Sequence, residues 1–487
     1  MTTIDGFIIA AYLIAVFAIS LYRPNRSRSL KEYAVGKKDF NSWAIFSTLS
    51  AAIVGANTTL GLSAQTYAFG IVFLISYFGC SIQQLLVTVF FAPRLKRYFP
   101  QALSMGDVMG QLYGKYGQVC SGLFSLIFCL GIMSAQVAGM GYIFYLFFGV
   151  SQTIGCFIGC GVVIGYAALG GIKGVVNVNV LQLVILTVVL LMISSIGVQE
   201  ARGMARILKV IPASHWALFK AMTPTAFISL FLLRVFGTMM APPYLQRILI
   251  AKNLDAYKKG SFAAAFFFVP IFSVSALVGL VALALYPDIQ ASLAMPLLIK
   301  NMLPPVLLGF AIIGLLAVIM STTDSWLHAA SVTFVYDILI PLKLLRLAPH
   351  KEVNFMRALT LFLGFFTLVF SLNFSEIPSI VAYSCNFWTP TLLVPFVFAI
   401  CGVRIRLKGF FISILSGACS TYLWNIYCLK ISEVEGLLVG MLINALVFLC
   451  FKYQEKKSPR QRTFDQGLNP EQSLVRSKTR LREESYR

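Results

Sequence analysis

The chain has 487 residues, 58% of them hydrophobic and only 12% charged, with 41 Phe. A soluble protein of this length carries roughly twice that charged fraction, so a water-soluble globular fold is excluded. The net charge of +21 does not point to nucleic acid, because the basic residues are spread over many short loops and a tail.

Thirteen long apolar stretches can be cut from the chain, near 4–22, 42–69, 71–91, 121–148, 151–169, 176–197, 225–244, 261–285, 303–340, 358–374, 380–401, 409–427 and 436–451. Most are long enough to cross about 30 Å of hydrocarbon as helix. The last is short. The ninth is too long for one crossing, which predicts a tilted, broken or extended helix. Most of the 39 Lys and Arg residues fall in every second gap. The exceptions are Arg202, Arg206, Lys209, Lys220, Lys300 and Lys430 in the alternate gaps, and Arg234 inside a stretch. This rhythm predicts an integral protein of the plasma or inner membrane, with its N-terminus outside and its C-terminus in the cytoplasm. The basic cluster follows the first stretch instead of preceding it, so that stretch reads as a retained span and not a cleaved signal. The ten Cys lie almost wholly in apolar stretches and read as buried small residues. The tail 453–487 is polar and charged and is expected to be disordered.

In the second stretch, Gly55 and Gly61 bracket a polar patch of Asn57, Thr58 and Thr59. Glycine weakens a helix, and backbone groups freed at membrane depth must find partners. Five stretches later, Gly237 and the pair Pro242 and Pro243 interrupt the seventh, and proline breaks the hydrogen-bond ladder. Two interrupted spans an odd number apart run in opposite directions, a pointer to an inverted-repeat transporter with its site at the breaks. The ninth stretch holds a polar run, Ser321 to Ser325. Positions i, i+3 and i+4 share a helix face, so the Val318 carbonyl, Ser321 and Thr322 can converge on a small hard cation. The alternative is hydroxyls bonded back to their own helix.

Four motifs resemble the sodium:solute symporter family: GluTyrAlaValGlyLysLysAspPhe at 32–40, AlaLeuGlyGlyIleLysGlyVal at 168–175, GlnArgIleLeuIleAlaLysAsn at 246–253 and SerThrThrAspSer at 321–325. The resemblance spans about 29–408. It implies an all-α membrane protein with a leucine-transporter-like inverted repeat of five plus five helices. The expected organisation is an accessory span and loop (1–41), a first repeat (42–197), an external loop (198–222), a second repeat (223–401), two accessory spans (402–452) and the tail. The resemblance further implies a sodium site made by the carbonyls of Ala51, Val54 and Val318 with the hydroxyls of Ser321 and Thr322. It also exposes a departure. The family usually has Thr-Asp after its GlyGly motif, and the Asp assists sodium movement; here Val178 and Asn179 stand there. The missing charge is expected to slow sodium release or alter coupling.

The expected function is sodium-coupled symport of a small organic solute by alternating access. Proton coupling needs a titratable group, and only Asp324 and His328 offer themselves. An uncoupled transporter of the same fold is the other alternative. A membrane-embedded transferase needs a convergent set of His and carboxylates, and the chain has three His. Candidate substrate contacts are Asn57, Thr58, Thr59, Gln83, Gln84, Tyr383, Asn386 and Trp388, each equally compatible with an interhelical hydrogen bond. Arg234 is a costly intramembrane cation. It pairs with a substrate carboxylate, pairs with a structural acid or snorkels to the outer interface, and if it faces the cavity an organic anion is favoured over a neutral sugar. The expected partners are this solute and membrane lipid, with no nucleic acid and no enzymatic activity.

Overall fold

The computed structural model describes residues 2–22, 27, 29–345, 348–372 and 377–452. The tail and Arg23, Arg26 and Arg28 of the first basic loop lie outside them. Regular structure among the described residues is helical, apart from two isolated β-bridges. The helices used below are α1 (Thr3–Leu21), α2 (Ser42–Ile53), α3 (Leu60–Phe69), α4 (Ile71–Leu86), α5 (Met105–Phe148), α6 (Gln152–Glu200), α7 (Pro224–Phe236), α8 (Pro242–Ile250), α9 (Leu254–Leu285), α10 (Leu307–Thr333), α11 (Pro349–Ser371), α12 (Ile377–Trp388), α13 (Leu407–Tyr427) and α14 (Gly436–Cys450).

Among the described residues each of the thirteen apolar stretches lies mainly on helix, the second and seventh with a break. Among the described residues eight helices are long and apolar enough to cross a membrane, or nine with the bent pair α2–α3 counted as one. This is a multi-pass integral membrane protein. The fifth and sixth stretches share α6, which kinks at Gly171 (φ 57°, ψ −160°), a conformation open to glycine. The over-long ninth stretch is one extended helix that continues through a π-helical turn to Leu339, 33 residues in all.

Helix starts follow local chemistry. Asn41, Ser104, Thr223 and Asn253 place side-chain oxygens on otherwise unpaired amides at the starts of α2, α5, α7 and α9. Asp5 reaches further: its buried carboxylate accepts from the amides of Val306 (2.8 Å) and Gly309 (3.1 Å), tying α1 to the start of α10. Buried acids are thus less scarce than Asp324 alone, since Asp337 is also buried and accepts from the Ser104 hydroxyl.

Helix α10 forms the axis of the molecule. Every residue from 311 to 333 is buried, as expected of a helix packed on all sides. It packs against α6, α5, α1, α2, α8 and α11. Helix α9 packs on α2, α3 and α4, and glycines allow the approach. A Cβ built at Gly279 would stand 2.2 Å from the Ser63 carbonyl oxygen. Gly279→Ala is therefore expected to push α3 off α9, at a cost of roughly 1–3 kcal/mol. The check is a lower melting temperature of the purified protein; an unchanged one refutes this packing.

Candidate functional site

Helix α2 stops where the sequence loses helix support. Val54 (φ −81°, ψ 86°) and Gly55 (φ −116°, ψ −167°) leave the helical region, a 3₁₀ turn runs over Ala56–Thr58, and α3 departs at 77° to α2. The freed backbone groups find side-chain partners. Thr58 Oγ1 accepts from the Gly55 amide (2.9 Å), Thr59 Oγ1 donates to the Gly55 carbonyl (2.9 Å), Gln136 Oε1 accepts from the Ala56 amide (3.3 Å), and the Tyr77 hydroxyl donates to the Asn57 carbonyl (3.0 Å). A break at this depth is stable only with such partners.

The last turn of α2 faces α10. Ser321 Oγ lies 3.0 Å from the Ala51 carbonyl oxygen and 2.9 Å from that of Val318; Thr322 Oγ1 lies 3.4 Å and 3.3 Å from the same two atoms. All four residues are buried. Each hydroxyl has one proton to donate and two carbonyls within reach, so four hard oxygens from two helices crowd one point. Val54, also buried, is the residue at which α2 ends. Gly55 lies against Thr322: a Cβ there would meet Thr322 Oγ1 at 2.6 Å. The backbone of Gly55 is extended and suits alanine, so Gly55→Ala acts on this hydroxyl and not through backbone strain. It is expected to leave folding largely intact and weaken any sodium response at least roughly tenfold, by analogy with losing one charge-assisted contact. Sodium-dependent thermal stability checks it.

The second break is in place as well. Helix α7 ends at Phe236, the chain turns through Gly237 and Met240 (φ 60°), and Pro242 and Pro243 open α8. The Gly237 carbonyl accepts from Thr389 Oγ1 at 2.5 Å. Between the two breaks lies a cavity of about 260 Å³. Its wall takes Gly55, Asn57 and Thr58 from the first break and Arg234, Gly237 and Thr238 from the second. Thr322 and Trp326 come from α10, Asn386 from α12, and Glu435 from the loop before α14. Gly55 and Thr322 thus belong to both the oxygen cluster and the cavity wall.

Among the candidates from sequence, Asn57, Thr58, Arg234 and Asn386 line the cavity. Thr59 turns away onto the Gly55 carbonyl. Gln84 is buried between helices, its amide donating to Ser261 (2.5 Å) and Tyr257 (3.3 Å). Trp388 donates to Ser125 (3.1 Å) and stacks on Phe128. Gln83 accepts from Thr238 (3.3 Å), and Tyr383 is largely exposed. Sequence reading missed Tyr77, Gln136, Trp326 and Glu435. The first three look like ordinary residues of apolar helices, and Glu435 sits in a loop with no local signature.

Arg247, which reads as a loop cation, is instead fully buried in α8. It donates to Ser325 (2.6 Å), Thr48 (3.2 Å), Gln246 (3.2 Å) and the Pro243 carbonyl (3.2 Å). Asn179 joins the same hydroxyls, Thr48 (3.1 Å) and Ser325 (3.2 Å). Ser325 passes on to Asp324 (3.1 Å), which also accepts from Tyr166 (2.8 Å). His328 contacts the Tyr33 carbonyl oxygen (2.9 Å) and stacks on the Tyr33 ring. These buried bonds lie within two turns of α10 beyond the oxygen cluster.

Two oppositely running broken helices around a small cavity, with a cluster of hard oxygens beside it, define a secondary transporter of the leucine-transporter-like fold. A Na+-coupled sialic acid symporter solved in a substrate-bound outward-open state superposes with a TM-score of 0.81 over 93% of this chain and 99% of that one, at 17% identity. The model of the sodium:solute symporter family matches residues 33–417, and the chain belongs to that family. The high-affinity proline transporter PutP of Bacillus subtilis (strain 168) is 24% identical over 353 residues, 69% of this chain and 74% of that protein. The sodium/pantothenate symporter of Escherichia coli (strain K12) is 25% identical over 377 residues, 73% and 77%. Membership makes this a sodium-coupled solute symporter working by alternating access, with Na+ as the coupling ion.

Proposed function

We propose that the carbonyls of Ala51, Val54 and Val318 and the hydroxyls of Ser321 and Thr322 bind the coupling sodium, and that the solute binds in the adjoining cavity. The observation that carries this is the approach of Ser321 Oγ to the Ala51 carbonyl oxygen, 3.0 Å across two helices. Hydroxyl and carbonyl oxygens suit a small hard cation, and sodium there needs no acid in direct contact. Bound sodium pins the end of α2 to α10 and so fixes Gly55 and Thr322, two residues of the cavity wall. Solute then binds a preorganised wall, and each ligand raises the affinity of the other by the same factor. The solute contacts are Asn57, Thr58, Arg234 and Asn386, with Glu435 in the same wall.

In this reading the repeats run over 42–197 and 223–401. The N-terminus is outside, and the side closed by Arg247, Asn179 and His328 faces the cytoplasm, in keeping with the basic loops. Asn179 supplies an amide where the resemblance implies an acid, so sodium leaves past neutral hydroxyls and a cation. The chain carries transport and no catalysis, meets lipid on its apolar exterior, and has no nucleic-acid partner. The test is thermal stability of the purified protein titrated with NaCl against KCl at constant ionic strength. Specific binding adds RT ln(1 + [Na+]/Kd), about 2.7 kcal/mol at a hundredfold excess over Kd. Identical curves in the two salts overturn the sodium assignment.

A further inference from the structure

The cavity holds one cation and one anion that do not meet. Arg234 lies with its guanidinium carbon 3.9 Å from the centre of the Tyr77 ring. The Tyr77 ring packs against this guanidinium. Its Nε is buried and lacks a hydrogen-bond partner, an arrangement that costs stability unless something arrives to accept that bond. Glu435 lines the same cavity, and among the described residues it forms no ion pair with Arg234 within 4.0 Å. The two still sense each other: burial pushes the Glu435 carboxyl pKa up, and the charge of Arg234 pulls against that. The backbone of Glu435 is fixed by its amide bond to Ser229 Oγ at 2.8 Å. Two opposite, separately held charges thus face a space of about 260 Å³, below the roughly 300–1,000 Å³ of drug-sized sites.

Each solute class meets this pair differently. A neutral sugar leaves both charges unpaired. A simple carboxylate satisfies Arg234 and puts a second anion near Glu435. A simple amine does the reverse. Only a small solute with both groups pairs each charge with its opposite. A planar carboxylate accepts two parallel N–H bonds from a guanidinium.

We propose that the transported solute is a small zwitterion, its carboxylate held by Arg234 and its cationic nitrogen by Glu435. This narrows the expectation of an organic anion drawn from Arg234 alone, because Glu435 supplies the missing half. It rests on the reading that this cavity is the transport site.

The experiment is a thermal-shift screen of the purified full-length chain in NaCl. The probes are the common α-amino acids and glycine betaine, each beside its deaminated acid and decarboxylated amine, with neutral sugars as a further set. At least one zwitterion is expected to stabilise the protein while both of its truncated analogues do not. Glu435→Gln is expected to weaken that zwitterion at least roughly tenfold, the worth of a charge-assisted hydrogen bond, and to spare or improve the deaminated acid. Arg234→Gln is expected to abolish both. Both variants keep the stabilisation by sodium alone, which shows that they fold. Stabilisation by a sugar, by a lone carboxylate as strongly as by its zwitterion, or by no zwitterion overturns the proposal and leaves the sodium reading standing. Loss of the sodium effect in the wild-type chain overturns the underlying reading and this proposal with it.

Discussion

Removal of both hydroxyls, in a Ser321→Ala, Thr322→Ala double variant, is expected to abolish the stabilisation by sodium and the sodium dependence of uptake. The two side chains place oxygens within 2.9–3.4 Å of the Ala51 and Val318 carbonyls. With alanine at both positions only backbone carbonyls remain, and two of the proposed ligands are gone. Each hydrogen-bond-like contact to a charged group is worth about 1.5–3 kcal/mol. Loss of two weakens sodium by a factor on the order of 10²–10⁴. Each single variant should fall about tenfold to a hundredfold. The fold should survive, because alanine favours helix and α10 keeps its backbone ladder. Melting curves in NaCl and KCl read the result. A double variant that keeps its sodium shift would place the ion elsewhere.

The geometry also accounts for coupling without a wire between distant sites. Gly55 and Thr322 each face the oxygen cluster on one side and the cavity on the other. Sodium that orders these two residues therefore orders a solute wall. A ligand shifts an equilibrium only through its differential affinity for the two states. In the proposed reading the difference arises at one shared helix break.

The two breaks were legible because glycine and proline act locally. Gly55 and the pair Pro242 and Pro243 disrupt helix wherever they stand. The facing of Ser321 and Thr322 toward Ala51 was legible only through the resemblance to a family, because hydroxyls in an apolar helix also bond back to their own turn, and here they do both. What the sequence left open needed the third dimension. Gln84 and Trp388 look like site residues by type, yet each finds a buried partner on another helix. Glu435 lies about two hundred residues from Arg234 and carries no pattern of its own. Arg247 follows an apolar stretch as a loop cation does. Its burial depends on Thr48 and Ser325, on helices far off in sequence.

Arg247 carries the second large expectation. Arg247→Met keeps most of the side-chain volume and removes the charge and every donor. Ser325 and Thr48 lose a partner, and Asp324, reached from Arg247 through Ser325, keeps its carboxylate without the nearby cation. Breaking a buried charge arrangement from one side typically costs about 3–5 kcal/mol. The variant should melt well below the parent. It should also favour the state open on the side that these bonds are proposed to close. Asp324→Asn separates charge from shape. Added to Arg247→Met it removes the stranded anion while keeping the acceptor oxygen for Tyr166, so the double variant should regain stability, with a coupling of at least about 1 kcal/mol. If the two losses simply add, the charges do not sense each other and closure of that side rests on hydrogen bonds alone. In that case Arg247→Gln, which keeps amide donors, should behave almost as the parent.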